Sequence, residues 1–211
     1  PTATNDVYTS CTRDTAVQFG TGNQTNVTIT VLPDSTLKSN LSENTNAYSV
    51  YVASLSAYNY GVITTNNTGT GSAYSIYSGA GGVTAVNYGS IAATSSSGYA
   101  EGVATSSSTG TFVNLTNYGS ISTTAGGSNN SLGVYARTNA DVTNSGQITT
   151  TSTGSGGAYS INSGISNSVT NSGQITTTNT GSGSAYSIYS STGGVTAVNY
   201  GSIAATSSSG Y

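Results

Sequence analysis

The sequence predicts an all-β fold, a right-handed, three-sided parallel β-helix (β-solenoid) in which each 27–30-residue repeat forms about one coil. The main observation is the pattern Asn-[Tyr/Ser]-Gly-x-Ile, which occurs six times at spacings of 28, 30, 27, 27 and 28 residues. A fixed period of this size indicates stacked structural units rather than a single globular core. Two further observations, an unusual composition and apolar residues at a fixed phase, favour the same fold.

The composition favours a folded chain over a disordered one. Charged residues make up only 4% of the 211 positions, the net charge is −3 and there are two prolines. Disordered chains of low hydrophobicity usually carry a high net charge or many prolines, and this chain carries neither. Its apolar residues are mostly β-branched or aromatic and recur at a fixed phase, which is typical of strands.

The charge and hydropathy of the chain argue against nucleic acids and membranes as partners. The pI is near 4.2 and only three residues are basic, which argues against binding to nucleic acid or to anionic membranes. No apolar run approaches the length of a membrane span, so we expect no direct membrane insertion. Cys11 is the only cysteine. It therefore has no disulfide partner within the chain, and we expect an inert or packed thiol.

Two regions are predicted along the chain. Residues 1–46 hold six of the nine charges and both prolines, and we interpret them as an N-terminal cap that contributes a first strand at 27–32. Residues 47–211 form the β-helix repeat array. Segments 69–99 and 181–211 are nearly identical at an offset of 112 residues, as block duplication in a long array produces. We therefore expect the natural chain to continue past Tyr211.

Each unit of the array contributes three short strands. The first is typified by residues 73–77, the second by residues 83–86, and the third follows the pentapeptide turn. The loops between them are too short to hold a helix, so successive coils should stack at the inter-strand spacing of about 4.8 Å. The right hand of the winding is expected from the chirality of parallel crossovers. The inward positions of the first strand are Val50, Ile76, Val103, Val134, Ile161 and Ile188.

The pentapeptide itself predicts a structural ladder. Strand alternation places its Asn, Gly and Ile on one side of the chain. With the Ile inward, the Asn lies at an inner corner where stacked side chains can hydrogen-bond from coil to coil, and the Gly allows a bend that a Cβ would oppose. The ladder residues are Asn59, Asn87, Asn117, Asn144, Asn171 and Asn199, with Ile63, Ile91, Ile121, Ile148, Ile175 and Ile203.

The 16 tyrosines suggest a contact surface. One set lies on an outward phase of the first strand and another flanks the turn; these are Tyr51, Tyr77, Tyr135 and Tyr189, and Tyr60, Tyr88, Tyr118 and Tyr200. A third set, Tyr74, Tyr159 and Tyr186, shares the phase of the inward Ile and is expected to fill corners. The outward rings either stack along the coils or offer an uncharged surface for sugars, proteins or a second copy.

The sequence predicts neither catalysis nor a metal site. Histidine is absent, so no serine or cysteine nucleophile has an imidazole base, and histidine metal sites are excluded. The Gly-rich turns lack the Asp that calcium-binding β-rolls need. The repeat region has only three charged residues, Glu101, Arg137 and Asp141, and we expect Glu101 and Arg137 to form a solvated or edge-exposed ion pair. We expect no catalytic residue, cofactor or metal.

The repeats resemble a known group of bacterial proteins. Asn-x-Gly-x-Ile followed by Thr- and Ser-rich strands, with Val-Thr-Asn-Ser-Gly-Gln-Ile at 142–148 and 169–175, is similar to passenger domains of bacterial autotransporter adhesins. Other secreted β-helix surface proteins, including two-partner-secretion filaments, are also similar. The resemblance covers residues 47–211. It implies an extracellular, surface-displayed adhesin or self-associating fibre.

The leading functional hypothesis is a non-enzymatic, secreted structural or adhesive β-helix on the bacterial cell surface. Its partners would be a second copy, through lateral or end-to-end association, or a surface glycan or protein of the host or of bacteria. The alternative is a carbohydrate-active β-helix enzyme, which would place two or more carboxylates within about 10 Å on one face. Ice binding is a further alternative, because Thr149/Thr151 and Thr176/Thr178 form outward Thr-x-Thr pairs.

Overall fold

The molecule is a β-solenoid of about seven turns. The computed structural model describes residues 5–8, 11–13, 25–106 and 110–209. Within these ranges the chain forms strands and no helix. The described residues therefore contain no helix that could span a membrane. All described strand pairs are parallel, and from Val27 onward each coil visits the three sheets in the same order. The predicted fold class is confirmed, while the right hand of the winding stays a prediction.

Three sheets, which we call A, B and C, form the three sides. Sheet A contains β1 (Asn5–Tyr8), β3 (Val27–Val31), β6 (Leu55–Asn59), β9 (Val83–Asn87), β12 (Val113–Asn117), β15 (Asn139–Asn144), β18 (Ser166–Asn171) and β21 (Val195–Asn199). Sheet B contains β2 (Cys11–Arg13), β4 (Thr36–Leu41), β7 (Val62–Asn67), β10 (Ser90–Ser95), β13 (Ser120–Ala125), β16 (Gln147–Ser152), β19 (Gln174–Asn179) and β22 (Ser202–Ser207). Sheet C contains β5 (Ala47–Val52), β8 (Ala73–Ser78), β11 (Ala100–Thr105), β14 (Ser131–Ala136), β17 (Ala158–Ser163) and β20 (Ala185–Ser190).

The core consists of columns of apolar side chains that repeat from coil to coil. In sheet B, Ile63 pairs with Ile91, and Ile91 pairs with Ile121. The column continues through Ile148, Ile175 and Ile203. Because each β-branched side chain is stacked on one of the same shape, the buried isoleucines pack without change of register. The predicted stacking of the isoleucines is confirmed, as is the sheet C column from Val50 to Ile188.

The interior is thin and partly polar. Buried hydroxyl groups lie between sheets B and C, where Ser49 Oγ is 2.6 Å from Thr65 Oγ1 and Ser75 Oγ donates to the same Thr65 oxygen at 3.2 Å. These bonds satisfy polar atoms that would otherwise be buried without partners. Small side chains that bond to one another therefore replace the large apolar residues of a globular core.

The strands within the predicted N-terminal cap stack in the same register as the repeats. β3 pairs with β6 and β4 pairs with β7, and Ile29, Val31 and Leu37 are buried. Residues 27–41 thus form part of a solenoid coil although they lack the pentapeptide. The division at residue 46 stays a prediction. Cys11 lies in β2, and its side chain lies outside the described part of the chain.

The strands of sheet C depart from simple alternation. In β8 the consecutive residues Ser75 and Ile76 are both buried, whereas Tyr74 and Tyr77 on either side are half-buried. The rings of Tyr74 and Tyr77 have centroids 4.7 Å apart, so both lie on the outer face. The prediction that Tyr74, Tyr159 and Tyr186 share the inward phase of the isoleucines is therefore wrong. The strand kinks at Ser75, and as a result Tyr77, three positions after Tyr74, lies on the same face as Tyr74.

Candidate functional site

The Asn–Gly corner, formed by the six pentapeptides between sheets A and B, is held by a continuous side-chain ladder. The amide of each asparagine donates to Oδ1 of the asparagine in the next coil, at 2.7–2.8 Å over all five steps from Asn59 to Asn199. The same amide donates to a backbone carbonyl of the next coil, such as that of Gln147 for Asn117, at 3.1 Å. Each coil is therefore bonded to the next through side chains as well as backbone.

The ladder ends where the sequence pattern ends. In β3 the residue in register with Asn59 is Val31, which has no amide to donate. Asn59 Oδ1 is consequently buried with no hydrogen-bond partner in the described part of the chain. An unpaired buried oxygen destabilises a fold, so the ladder stabilises the protein least at this end.

The corner glycines are required by the close approach of the coils. A Cβ built on Gly119 would overlap the carbonyl oxygen of Gly89, and one built on Gly146 would overlap that of Gly119. None of these glycines has a φ in the left-handed region. The column of glycine backbones therefore exists because two coils meet where no side chain fits.

A groove of about 1090 Å³ runs along this corner. The pentapeptide glycines line it from Gly61 to Gly201, together with the residues that follow them, such as Ser120 and Gln147. Tyr60 and Tyr118 line it on the N-terminal half, whereas Ser145 and Ser172 occupy the same pentapeptide position on the C-terminal half. The groove thus extends across the coils and parallel to their common axis.

The groove is aromatic and nearly uncharged. Tyr88 is stacked between Tyr60 and Tyr118, with centroid distances of 5.1 and 4.8 Å and interplanar angles of 3° and 14°. All three rings are exposed, as is Tyr200 in the last coil. Of the residues that line the groove, only Asp34 is charged. The groove can therefore offer ring faces, hydroxyl groups and amides, but little electrostatic attraction.

The other predicted tyrosines lie on sheet C and mostly contact one another. Tyr51 and Tyr77 have centroids 5.5 Å apart, and Tyr48 is stacked on Tyr74 at 5.0 Å. Burial raises the pKa of Tyr74 and Tyr77 above the ordinary phenol value. Tyr51, Tyr77, Tyr135 and Tyr189 are half-buried, which distinguishes them from the exposed corner tyrosines. Whether either set contacts a partner stays a prediction.

The three charged residues of the repeat region lie apart. Glu101 is 6% exposed in β11 of sheet C, whereas Arg137 is exposed and Asp141 is exposed in β15 of sheet A. The prediction of a solvated Glu101 is therefore wrong, because its side chain is buried. Burial raises the pKa of Glu101 to about 8. Among the described residues, no three acidic, cysteine or histidine side chains lie together as metal ligands would.

One signal in the sequence could have revealed the burial of Glu101. The hexapeptide at 100–105 aligns with Ala-Tyr-Ser-Ile-Tyr-Ser at 73–78, so Glu101 takes the position of Tyr74 and Ala104 that of Tyr77. A carboxyl group at this position lies between Tyr74 of the preceding coil and Leu132 of the next. Strict strand alternation does not predict the kink in sheet C, so it does not predict that the position of Tyr74 and Glu101 faces outward beside that of Tyr77.

These features define a β-helix repeat module with a nearly uncharged axial groove and, in its described residues, no cluster of three or more acidic, cysteine or histidine side chains. Residues 111–211 match a family model described as the BigA third pectate lyase-like domain. That domain is of the β-helix type and comes from a bacterial surface protein. The match therefore supports a bacterial β-helix protein. Searches of curated proteins and of solved structures found no match.

Proposed function

We propose that this chain is a non-enzymatic adhesive module that binds an uncharged glycan along the Asn–Gly corner groove. The observation that carries the proposal is the groove itself, which repeats a glycine in every coil, flanked in most coils by hydroxyl or amide side chains, beside a stack of tyrosine rings. Ring faces pack against the apolar faces of sugars, while hydroxyl groups and amides bond to sugar hydroxyls. A groove that repeats along an axis suits a polymer that also repeats.

The glycan proposal is tested by binding to a panel of immobilised neutral and acidic polysaccharides. Replacing both Tyr60 and Tyr118 with alanine should weaken binding to a neutral glycan at least about tenfold, because both rings line the groove. Tyr58→Ala is the matched control, since Tyr58 is 41% exposed, close to the 44% of Tyr60, but does not line the groove. The proposal fails if no neutral glycan binds, or if the control loses as much binding as the double variant.

Location on the cell surface follows from the same proposal. The resemblance of the repeats to autotransporter passengers and the match to a domain of a bacterial surface protein support export out of the cell. Antibody labelling of intact cells that express the natural gene tests it. Labelling that appears only after the cells are permeabilised contradicts a surface location.

Self-association is a second candidate function. It is supported by the low charge, since residues 142–211 contain no Asp, Glu, Lys, Arg or His, so little repulsion opposes packing of two rods side by side. Sedimentation or light scattering over a hundredfold range of protein concentration measures it. A protein that stays monomeric throughout that range rules out self-association through the described coils.

An enzymatic role is the alternative from another class, since the description of the matched family contains the words pectate lyase-like. The placement of Glu101 on sheet C and Asp141 on sheet A supports the non-catalytic proposal, because a carboxylate pair would need one face. Incubation with polygalacturonate, followed by the absorbance of unsaturated products, tests it. Sustained product formation by the pure protein would establish lyase activity instead.

The alternative of ice binding depends on an array of outward threonines, which is short in this protein. Thr149 pairs with Thr176, and Thr151 pairs with Thr178, but the preceding coil has Ser122 at the first of these positions. A regular two-column threonine array therefore extends over two coils of sheet B. Microscopy of ice-crystal growth in the presence of the protein distinguishes this alternative, because shaped or arrested crystals are expected only from an ice-binding surface.

A further inference from the structure

The tyrosine columns of sheet C are interrupted at their middle. In β11 the positions taken by Tyr74 and Tyr77 in β8 are held by Glu101 and Ala104. In β14 Leu132 follows Glu101, and in β17 the second column contains an asparagine, Asn162, between Tyr135 and Tyr189. The rings therefore form an N-terminal and a C-terminal cluster, with a mixed polar region between them.

A cavity of about 460 Å³ lies at this interruption. It is lined by the rings of Tyr74, Tyr77, Tyr99 and Tyr135 and by the side chains of Glu101 and Asn162, among others. Its volume lies within the range of small-molecule sites, and it combines aromatic walls with a few polar groups, as such sites do. It is separate from the corner groove, because the two cavities share no lining residue.

Two hydrogen-bond acceptors of this cavity lack partners. Glu101 Oε2 and Asn162 Oδ1 are both buried, and neither accepts a hydrogen bond from the described residues. Glu101 is 6% exposed as a whole. Buried polar atoms in folded proteins are almost always paired, and an unpaired one indicates strain, a water molecule, an ion or another bound group. A buried carboxyl group without a partner beside a cavity points to a group that donates hydrogen bonds.

We propose that this cavity binds a protonated primary amine. An ammonium group donates up to three hydrogen bonds, which the Glu101 carboxylate can accept. Its charge is attracted to the faces of tyrosine rings as well as to a carboxylate. No lysine or arginine lines the cavity, and Arg137 lies exposed outside it, so no described basic side chain neutralises this carboxylate.

The protonation state of Glu101 gives the proposal a distinctive consequence. Burial raises the pKa of Glu101 to about 8, so the empty cavity holds a neutral carboxyl group at pH 7. Binding of an ammonium ion requires the carboxylate, and the carboxyl proton is released to solvent. The amine keeps its own proton, so one proton leaves for each cation bound. Affinity should therefore rise about tenfold from pH 6 to pH 7 and level off above pH 8.

Other groups near the cavity do not produce this pH dependence. The titratable side chains that line it besides Glu101 are Tyr74, Tyr77, Tyr99 and Tyr135, from β8, β14 and the residue before β11. Phenols ordinarily ionise near pH 10. Apart from Glu101, no lining residue from β8, β11, β14 or β17 carries a charge at neutral pH. Any proton released between pH 6 and pH 7.5 on binding is thus assigned to Glu101.

Isothermal titration calorimetry at pH 6 and pH 7 tests the proposal with four probes. N-acetyl-lysine methylamide and glucosamine both carry a primary ammonium group and separate a side-chain source from an amino-sugar source. Tetramethylammonium has the charge but no hydrogen-bond donor, and N-acetylglucosamine has the sugar ring but no charge. Binding of at least one primary amine is expected, about tenfold tighter at pH 7 than at pH 6, with release of a proton. Equal binding of tetramethylammonium or N-acetylglucosamine overturns the proposal.

Two variants and a matched control locate the site. Glu101→Gln keeps the shape of the side chain and should abolish both binding and proton release. Asn162→Tyr continues a column that already contains Tyr135 and Tyr189, so the fold accommodates the ring, and it should weaken binding at least fivefold. Asp141→Asn makes the same replacement of a carboxyl group by an amide at an exposed site on sheet A and should change nothing. Unchanged amine binding by Glu101→Gln rules out this cavity, whatever the outcome of the glycan experiment.

Discussion

The side-chain amide of Asn117 joins two coils by donating to Oδ1 of Asn144 at 2.7 Å and to the carbonyl oxygen of Gln147 at 3.1 Å. Asn117 also accepts a hydrogen bond from Asn87 at 2.7 Å. All three side chains are fully buried. One residue type at one position per repeat thus bonds to the coil before and to the coil after. This relationship explains why the corner needs asparagine, since no other side chain of this size both donates and accepts in this way.

Asn117→Ala should lower the free energy of unfolding by about 2–4 kcal/mol, because it removes the donor to buried Asn144 Oδ1 and the bond to the Gln147 carbonyl oxygen. Urea denaturation followed by circular dichroism measures the change. Asn59→Ala is the matched comparison and should cost less, because Asn59 Oδ1 already lacks a partner and is removed by the substitution. Equal losses from the two substitutions would mean that the ladder contributes no more in the middle than at its end.

Gly119→Ala should destabilise the protein by about 3 kcal/mol or prevent folding, since the new Cβ overlaps the carbonyl oxygen of Gly89. The cause is close approach of two backbones, which a shift of one side chain cannot relieve. Gly194→Ala serves as the control, because a Cβ there meets nothing within 4 Å, and it should change stability by less than about 0.5 kcal/mol. Thermal unfolding of both variants provides the comparison. A Gly119→Ala protein as stable as Gly194→Ala would contradict the packing of the corner.

The period and the phase of the apolar residues were sufficient to predict the solenoid, its three strands per coil and the stacked isoleucines such as Ile91 and Ile121. The asparagine ladder was also predictable, since the parity of the pentapeptide places Asn59 and Ile63 on the same side. These features follow from local rules that every coil repeats. These rules apply equally to every coil, whatever its position in the solenoid.

The face of Tyr74 and the burial of Glu101 could not be predicted by the same rules. Strict alternation gives the wrong side for Tyr74, because the kink at Ser75 depends on how sheet C meets the inner hydroxyl groups of sheet B. The environment of Glu101 depends in turn on rings three positions apart lying on one face. Non-local packing decided both, and the cavity of sheet C was missed as a result.

The stability of the protein should fall as the pH rises from about 5 to 8. Burial raises the pKa of Glu101 from 4.5 to about 8 in the folded state. Between these values the folded chain holds a proton that the unfolded chain has released, so folding is favoured at the lower pH. The expected slope is about −1 kcal/mol per pH unit within this window. No histidine titrates there.

Urea midpoints at pH 5.5, 6.5 and 7.5 measure this slope. Glu101→Gln should remove it, because the amide does not titrate, and should make the protein more stable than wild type at pH 7.5. Asp141→Asn should keep the slope of the wild type, since Asp141 is exposed. A flat wild-type profile would show that Glu101 is solvated after all, in agreement with the prediction from sequence.

A double-mutant cycle on Tyr74 and Tyr77 tests the kink in sheet C. Their ring centroids are 4.7 Å apart with an interplanar angle of 54°, so Tyr74→Ala and Tyr77→Ala should be coupled by about 0.5–1.5 kcal/mol in the free energy of unfolding. A cycle on Tyr74 and Tyr88, which lie on different sides of the solenoid, should be additive within about 0.5 kcal/mol. In an alternating strand, residues three positions apart point to opposite faces and their rings cannot meet. Additivity of Tyr74 and Tyr77 would therefore return Tyr74 to the interior and remove one wall of the cavity around Glu101.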